Sequence, residues 1–210
     1  MSDVFQRLLQ EGLDQGIVPN RTQEARDWFR QRALRENISP RRVVSTIDQE
    51  RFTNIPRLGR MYIFRYLPKY RAQLPIYDRF PLIILFRRVG NGFLGLNVHY
   101  LPLSWRARFF DTLYKVTSDK NYDEETIFKV TWTILKALFA FNRNYLRCVR
   151  RYRFDHMLSK LMLIEAQEWD IALFLPVAEW NTPLTVFNNP VLNTRQSKPQ
   201  KIRKAKIKKK

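Results

Sequence analysis

A chain whose last sixteen residues carry nine basic side chains and no acidic one cannot fold that stretch into a core. Between Arg195 and Lys210 the basic residues are Arg195, Lys198, Lys201, Arg203, Lys204, Lys206, Lys208, Lys209 and Lys210. Like charges at this spacing repel one another, keep the backbone extended and seek a polyanion. The formal net charge is +19, so +10 remains on the body once the tail's +9 is set aside. Both parts point to a partner dense in negative charge, nucleic acid first and an anionic membrane second.

The body has the means to fold. Hydrophobic residues make up 45% of the 210, with 15 Phe, 9 Tyr and 5 Trp, enough for a sizeable core. The single Cys148 excludes an internal disulfide framework and a cysteine-built zinc site, and fits a reducing compartment. The first residues, Met1 to Arg7, lack a basic segment followed by an apolar stretch, so no signal peptide is expected. The longest apolar run, Ile127 to Phe141, is interrupted by Lys129 and Lys136 and is too short to span a bilayer; a soluble protein with no membrane partner is expected.

Periodicity sets out the elements. Val4, Phe5, Leu8, Leu9 and Leu13 recur at helical spacing until Gly16 and Pro19. Thr22 is an N-cap for a second helix with Ala25, Trp28, Phe29 and Ala33 on its inner face, ended by Ile38-Ser39-Pro40. Residues 38–60 read as a basic linker with at most one helical turn near Ser45–Asp48. Three strands follow, over 61–67, 82–86 and 93–100, the last two joined at Asn91-Gly92, where both positions tolerate positive φ. Gly95 leaves room for a neighbouring chain or a bulge. Pro102 opens a helix to about Val116 with Trp105, Phe109 and Leu113 inward and Arg106, Arg108 and Lys115 outward. A second helix runs from Asp123 to about Phe141 and is apolar on two sides. Leu161–Ile164 is a further strand, and Glu168–Pro176 a short buried segment.

The expected fold class is α+β: a small antiparallel sheet, barrel-like if it closes, packed on two central helices. The division is a helical N-terminal extension and linker over 1–57, a core domain over 58–182, and an extended basic arm over 183–210.

Two basic regions are candidate phosphate binders. In the tail they are Lys198, Lys201, Arg203, Lys204, Lys206, Lys208, Lys209 and Lys210, which would release counterions on binding but read no sequence. In the body Arg143, Arg147, Arg150, Arg151 and Arg153 alternate with Tyr145 and Tyr152. Arginine grips phosphate bidentately and tyrosine stacks on exposed bases; the competing reading is a solvated face with core tyrosines. Arg57, Arg60, Arg65, Lys69 and Arg71 form a weaker third set. Nothing in the pattern demands catalysis, a cofactor, a metal or a small-molecule substrate. His99 sits in a strand pattern and reads as structural. Asp155 and His156 are adjacent and do not naturally form a dyad. The acids at 119–125 are cap and dipole partners. Cys148 reads as a small buried residue.

The segments Met61–Tyr66, Pro75–Ile83, Gly92–Pro102 and Glu168–Pro176 together resemble the DNA end protector family of virion proteins from large contractile-tailed phages. The resemblance spans roughly residues 58–180 and rests on aromatic, Pro and Gly patterns. It implies a non-catalytic virion protein in the head or neck region. Such a protein sits on the end of packaged double-stranded DNA, contacts other virion proteins and shields that end from exonucleases. The alternatives are a structural neck, tail or baseplate protein docked on acidic neighbours, and a metal-dependent nuclease, which would need converging carboxylates.

Overall fold

Six antiparallel strands form the centre of the computed structural model, which describes residues 3–47, 49–74, 76–117, 133–134, 137 and 147–177. They are β1 (Phe52–Thr53), β2 (Met61–Ile63), β3 (Leu82–Arg88), β4 (Gly92–Asn97), β5 (Val149–Arg153) and β6 (Leu161–Ile164). Their spatial order is β1-β6-β2-β3-β4-β5, so the sheet is open, with β1 and β5 as its edges. The α+β architecture follows the sequence reading, with two strands more. β1 lies in the stretch read as a linker, and β5 in the stretch read only as a basic patch.

Around the sheet stand helices α1 (Val4–Asp14), α2 (Gln23–Leu34), α3 (Pro40–Thr46), α4 (Leu103–Thr117) and α5 (Trp169–Ala172). Each of the first three has a side-chain cap. Asp3 accepts from the Phe5 N–H, Thr22 from the Ala25 N–H and Ser39 from the Arg42 N–H. Thr22 does what the sequence indicates. Ser39-Pro40, expected to end α2, instead starts α3 as cap and first-turn proline, and α2 stops at Leu34. Leu13, placed on the inner stripe of α1, is 49% exposed. Of the helix expected over 123–141 only Thr133, Ile134 and Ala137 lie among the described residues; all three are helical.

Both faces of the sheet are apolar. One face, with Met61, Leu82, Ile84, Leu96 and Met162, packs against Phe5, Leu8, Phe29, Phe109 and Leu113 from the helices. Burying five such side chains supplies on the order of 10 kcal/mol before entropy is counted. The other face, with Tyr62, Phe64, Ile83, Leu85, Phe93, Tyr152 and Leu161, forms a second cluster with Tyr66. Its rings meet edge to face, with Phe64–Tyr152 centroids 5.3 Å apart and Tyr66–Tyr152 5.0 Å apart.

Three glycines are required by geometry. A Cβ at Gly12 would lie 2.5 Å from the Phe29 ring, so α1 and α2 approach closely there. A Cβ at Gly92 would lie 2.0 Å from the Tyr152 carbonyl oxygen across the β4–β5 ladder. In the β3–β4 hairpin the positive φ (52°) falls on Gly90 and not on Asn91 or Gly92. The Val89 N–H donates to the Gly92 carbonyl at 2.9 Å, so Gly90 and Asn91 are the central residues of a turn of the II′ kind, glycine first.

Buried and half-buried arginines tie the periphery together. Arg30 of α2 binds Asp170 of α5 at 2.7 Å and Asp111 of α4 at 2.6 Å. Arg51 joins Asp3 (3.2 Å), Glu168 and the Leu163 carbonyl (2.9 Å), holding the start of α1 against β6. Arg106, expected to face solvent, is buried. Its guanidinium donates to the carbonyls of Leu101 (2.9 Å), Leu173 (2.6 Å) and His99 (2.8 Å). Burial lowers its pKa to about 10, which still leaves it charged at neutral pH.

Candidate nucleic-acid interface

The pairing of β5 with β4 decides where the body arginines go. Gly92 stands opposite Arg153, Phe93 opposite Tyr152, Leu94 opposite Arg151, Gly95 opposite Arg150 and Leu96 opposite Val149. Successive side chains on a strand alternate between faces. The cluster read from sequence as one patch is therefore split. Arg150 shares the face of Tyr152 and the aromatic cluster, whereas Arg151 and Arg153 share the face of Leu94.

On that second face the register brings in a residue the sequence reading did not single out. A bulge between Leu85 and Arg87 shifts the β3–β4 ladder by one residue, and Arg87 then stands opposite Leu94. Arg87, Leu94 and Arg151 form one row across β3, β4 and β5, with two strand spacings, about 10 Å, between the arginine backbones. Both arginines are exposed and Leu94 is half-buried. Among the described residues neither arginine has a carboxylate partner. By contrast Arg7, Arg26, Arg30, Arg32 and Arg51 are all held in ion pairs. The row at the hairpin end of the sheet therefore presents unneutralised charge to the outside.

The remaining expected residues are disposed as follows. The Arg153 side chain is partly neutralised by Asp155, with Nε to Oδ1 at 2.9 Å, and the pair is exposed. Asp155 holds the Arg153 pKa up, and Arg153 in turn draws the Asp155 carboxyl below its ordinary value. Arg150 lies with its Cζ 5.0 Å from the Tyr100 ring centroid. Arg147 is half-buried just before β5. Arg143, Tyr145 and the tail residues Lys198, Lys201, Arg203, Lys204, Lys206, Lys208, Lys209 and Lys210 lie outside the described residues. From the third basic set, Arg57, Arg65, Lys69 and Arg71 are exposed, and Lys69 Nζ sits 5.4 Å from the ring of the exposed Tyr70.

Beside the edge lies a polar knot. Asp78 is buried; its Oδ1 accepts from the Phe80 N–H (2.8 Å) and its Oδ2 from Asn97 Nδ2 (2.8 Å) and His99 Nδ1 (3.0 Å). Asn97 also donates to the Tyr152 hydroxyl at 3.2 Å. Burial pushes the His99 pKa down against the smaller opposing pull of Asp78, so His99 is a neutral Nδ1–H donor. It lies in the turn after β4, not in the strand, and has the structural role its sequence context indicates. Cys148 is buried, its thiol pushed up to about 12 by desolvation, which leaves it inert. His156 Nε2 is 4.0 Å from Asp155, too far for a hydrogen bond, and its Nδ1 faces the Leu67 carbonyl at 3.2 Å. Among the described residues no group of three or more His, Cys, Asp or Glu is placed to hold a metal, and no helix is long and apolar enough to cross a membrane.

A family model described as phage T4 terminal DNA protecting protein matches residues 3–191 of the chain. No curated protein and no solved structure matches it. The family match begins at α1 and so takes in the N-terminal helices, well beyond the stretch in which the sequence patterns resemble that family.

Proposed function

The chain belongs to the phage T4 terminal DNA protecting protein family, and from that premise we propose that it binds double-stranded DNA ends without regard to sequence and shields them from exonucleases. The reading is of a non-catalytic protein of the phage particle, placed in its head or neck region with the packaged DNA. The observation that carries it is the Arg87–Leu94–Arg151 row at the hairpin end of the sheet, whose two arginines are exposed and, among the described residues, have no carboxylate partner. Each free guanidinium offers a bidentate grip on phosphate. The basic arm, Lys198 to Lys210, adds sequence-independent charge that wraps the duplex, and Arg143, Arg147, Arg150 and Arg153 extend the surface.

The experiment is an exonuclease challenge of linear duplex with purified protein, beside a binding titration on linear and closed circular DNA at stepped salt. If about six phosphates are engaged, log K falls with log salt at a slope near about −5. Protected ends and a slope of that order bear the reading out; unprotected ends with a slope near zero would sink it.

A structural role among virion neighbours has one observation of its own. Ile55, Phe154 and Leu158 are exposed at 69%, 37% and 51%. The last two border a surface hollow with Asn54, Met157 and Leu161. Apolar side chains left in the open suit a protein contact. A defect in particle assembly on changing Leu158 to Asp, with end protection intact, would assign that surface to a virion partner.

A further inference from the structure

Between the 66–78 segment and the edge strand β5 lies a cavity of about 150 Å³, lined by Tyr66, Ile76, Tyr77, Tyr100, Arg150 and Tyr152 among others. Its floor is made of buried rings, Tyr66, Tyr100 and Tyr152, while Ile76, Tyr77 and Arg150 are half-buried at its sides. Arg150 reaches over the Tyr100 face, and Arg151 also borders the cavity. We propose that this cavity takes a single unpaired nucleobase from the DNA terminus, with that nucleotide's phosphate held by Arg150. The proposal rests on the reading that the chain engages DNA ends, and names how it tells an end from the middle of a duplex.

Three features favour this occupant. A cavity of about 150 Å³ accommodates one planar ring system and not a whole nucleoside. The walls are tyrosine, proline and aliphatic side chains, surfaces on which any base stacks whatever its sequence. The one carboxylate in the lining, Asp78, has both oxygens occupied by Phe80, Asn97 and His99. The Arg150 guanidinium stands at the side, where the sugar–phosphate of a seated base would emerge. A base inside a duplex cannot reach such a site without being unpaired and unstacked, whereas a single-stranded terminal base escapes most of that cost. The selectivity for ends then follows from the energetics of fraying and not from reading any base edge.

The test compares a blunt linear duplex, the same duplex with a two-nucleotide single-stranded end, and a closed circle, using wild-type protein and Ile76→Trp, which fills the cavity. Wild type is expected to bind the single-stranded end about tenfold tighter than the blunt one, the scale of one stacked base. Ile76→Trp is expected to bring the two within about twofold while its salt-sensitive binding to the circle stays as in wild type. A variant that retains the preference, or a wild type that lacks it while binding the circle, overturns the cavity and leaves duplex binding standing. A wild type that binds none of the three DNAs overturns both. A second readout does not depend on the variant folding: 5-iodouracil at the terminal nucleotide should photocrosslink to peptides containing Tyr77, Tyr100 or Tyr152. Crosslinks confined to other peptides would count against the cavity.

Discussion

Arg87 and Arg151 stand in the same register row of the sheet, on two different strands, with Leu94 between them and no carboxylate opposed to either among the described residues. They are 64 positions apart in sequence, and only the bulge between Leu85 and Arg87 turns the first toward the face of the second. If the row holds phosphates, Arg87→Gln and Arg151→Gln should each make the slope of log K against log salt about 0.9 less steep, and the double variant about 1.8. Arg153→Gln, whose charge Asp155 already offsets, should move it less. Arg108→Gln, exposed on α4, serves as the control for charge alone. Equal effects from all four substitutions would remove the row's special standing.

Arg106 fastens three carbonyls that lie far apart in the chain. Arg106→Met leaves the oxygens of His99, Leu101 and Leu173 without this donor, and a stranded buried polar group costs about 1–3 kcal/mol. A total loss above about 3 kcal/mol is expected in denaturant unfolding. Arg106→Lys should recover only part of it, because an ammonium is a point donor and cannot reproduce the planar fork. Full stability in the Lys variant would show that the fork geometry is unimportant.

His99 sets a pH dependence. Its pKa in the native state lies below the ordinary 6.5 because burial disfavours the imidazolium. As pH falls through about 6.5 the unfolded chain takes up a proton that the native state refuses, so stability is present above that value and declines below it. The decline continues until the native pKa is reached. The thermal midpoint of wild type should therefore fall relative to that of His99→Asn, which keeps a donor toward Asp78, between about pH 7.5 and about pH 5.5. A constant difference between the two proteins would mean that His99 does not titrate differently on folding.

Two glycines of β4 should differ in tolerance. Gly92→Ala drives a Cβ to 2.0 Å from the Tyr152 carbonyl oxygen, a backbone atom that moves only if the β4–β5 ladder opens. Gly95→Ala meets the Cδ1 of Ile83 at 2.9 Å, a side-chain atom that can turn aside. Overpacking that a side chain relieves costs about 1–3 kcal/mol. Gly92→Ala should exceed that and should also weaken DNA binding by displacing Arg151. Thermal melts of the two variants side by side decide this; equal losses would contradict it.

How much of this could be read beforehand depends on how local each signal is. Thr22 before an amphipathic stretch and the run Leu82–Phe86 are local signals, and they were legible. Val149–Arg153 holds three arginines in five residues and looks like a solvated patch; it is a strand because β4 supplies its ladder, 53 to 61 positions away. Arg106 looks outward on a helical wheel that considers one buried side. Its second buried side is made by residues 99, 101 and 173, which no window along the chain brings together. The split of the arginine cluster across two faces and the entry of Arg87 both depend on register and on one bulge. The aromatic cavity needs two segments about 75 positions apart to meet.

The place of β6 carries a kinetic consequence. It lies between β1 and β2, pairing Phe52 with Met162 on one side and Met61 with Ile164 on the other. A ribosome delivering this chain from its N-terminus releases β1 and β2 long before the strand that joins them exists. Until residue 164 emerges, β2 has one unfilled side and β1 has no partner at all, and α1 waits for Glu168 to complete the clasp on Arg51. Completion of the sheet is therefore a late event of synthesis, governed by contacts about 100 residues apart, and such long-range pairing is slow.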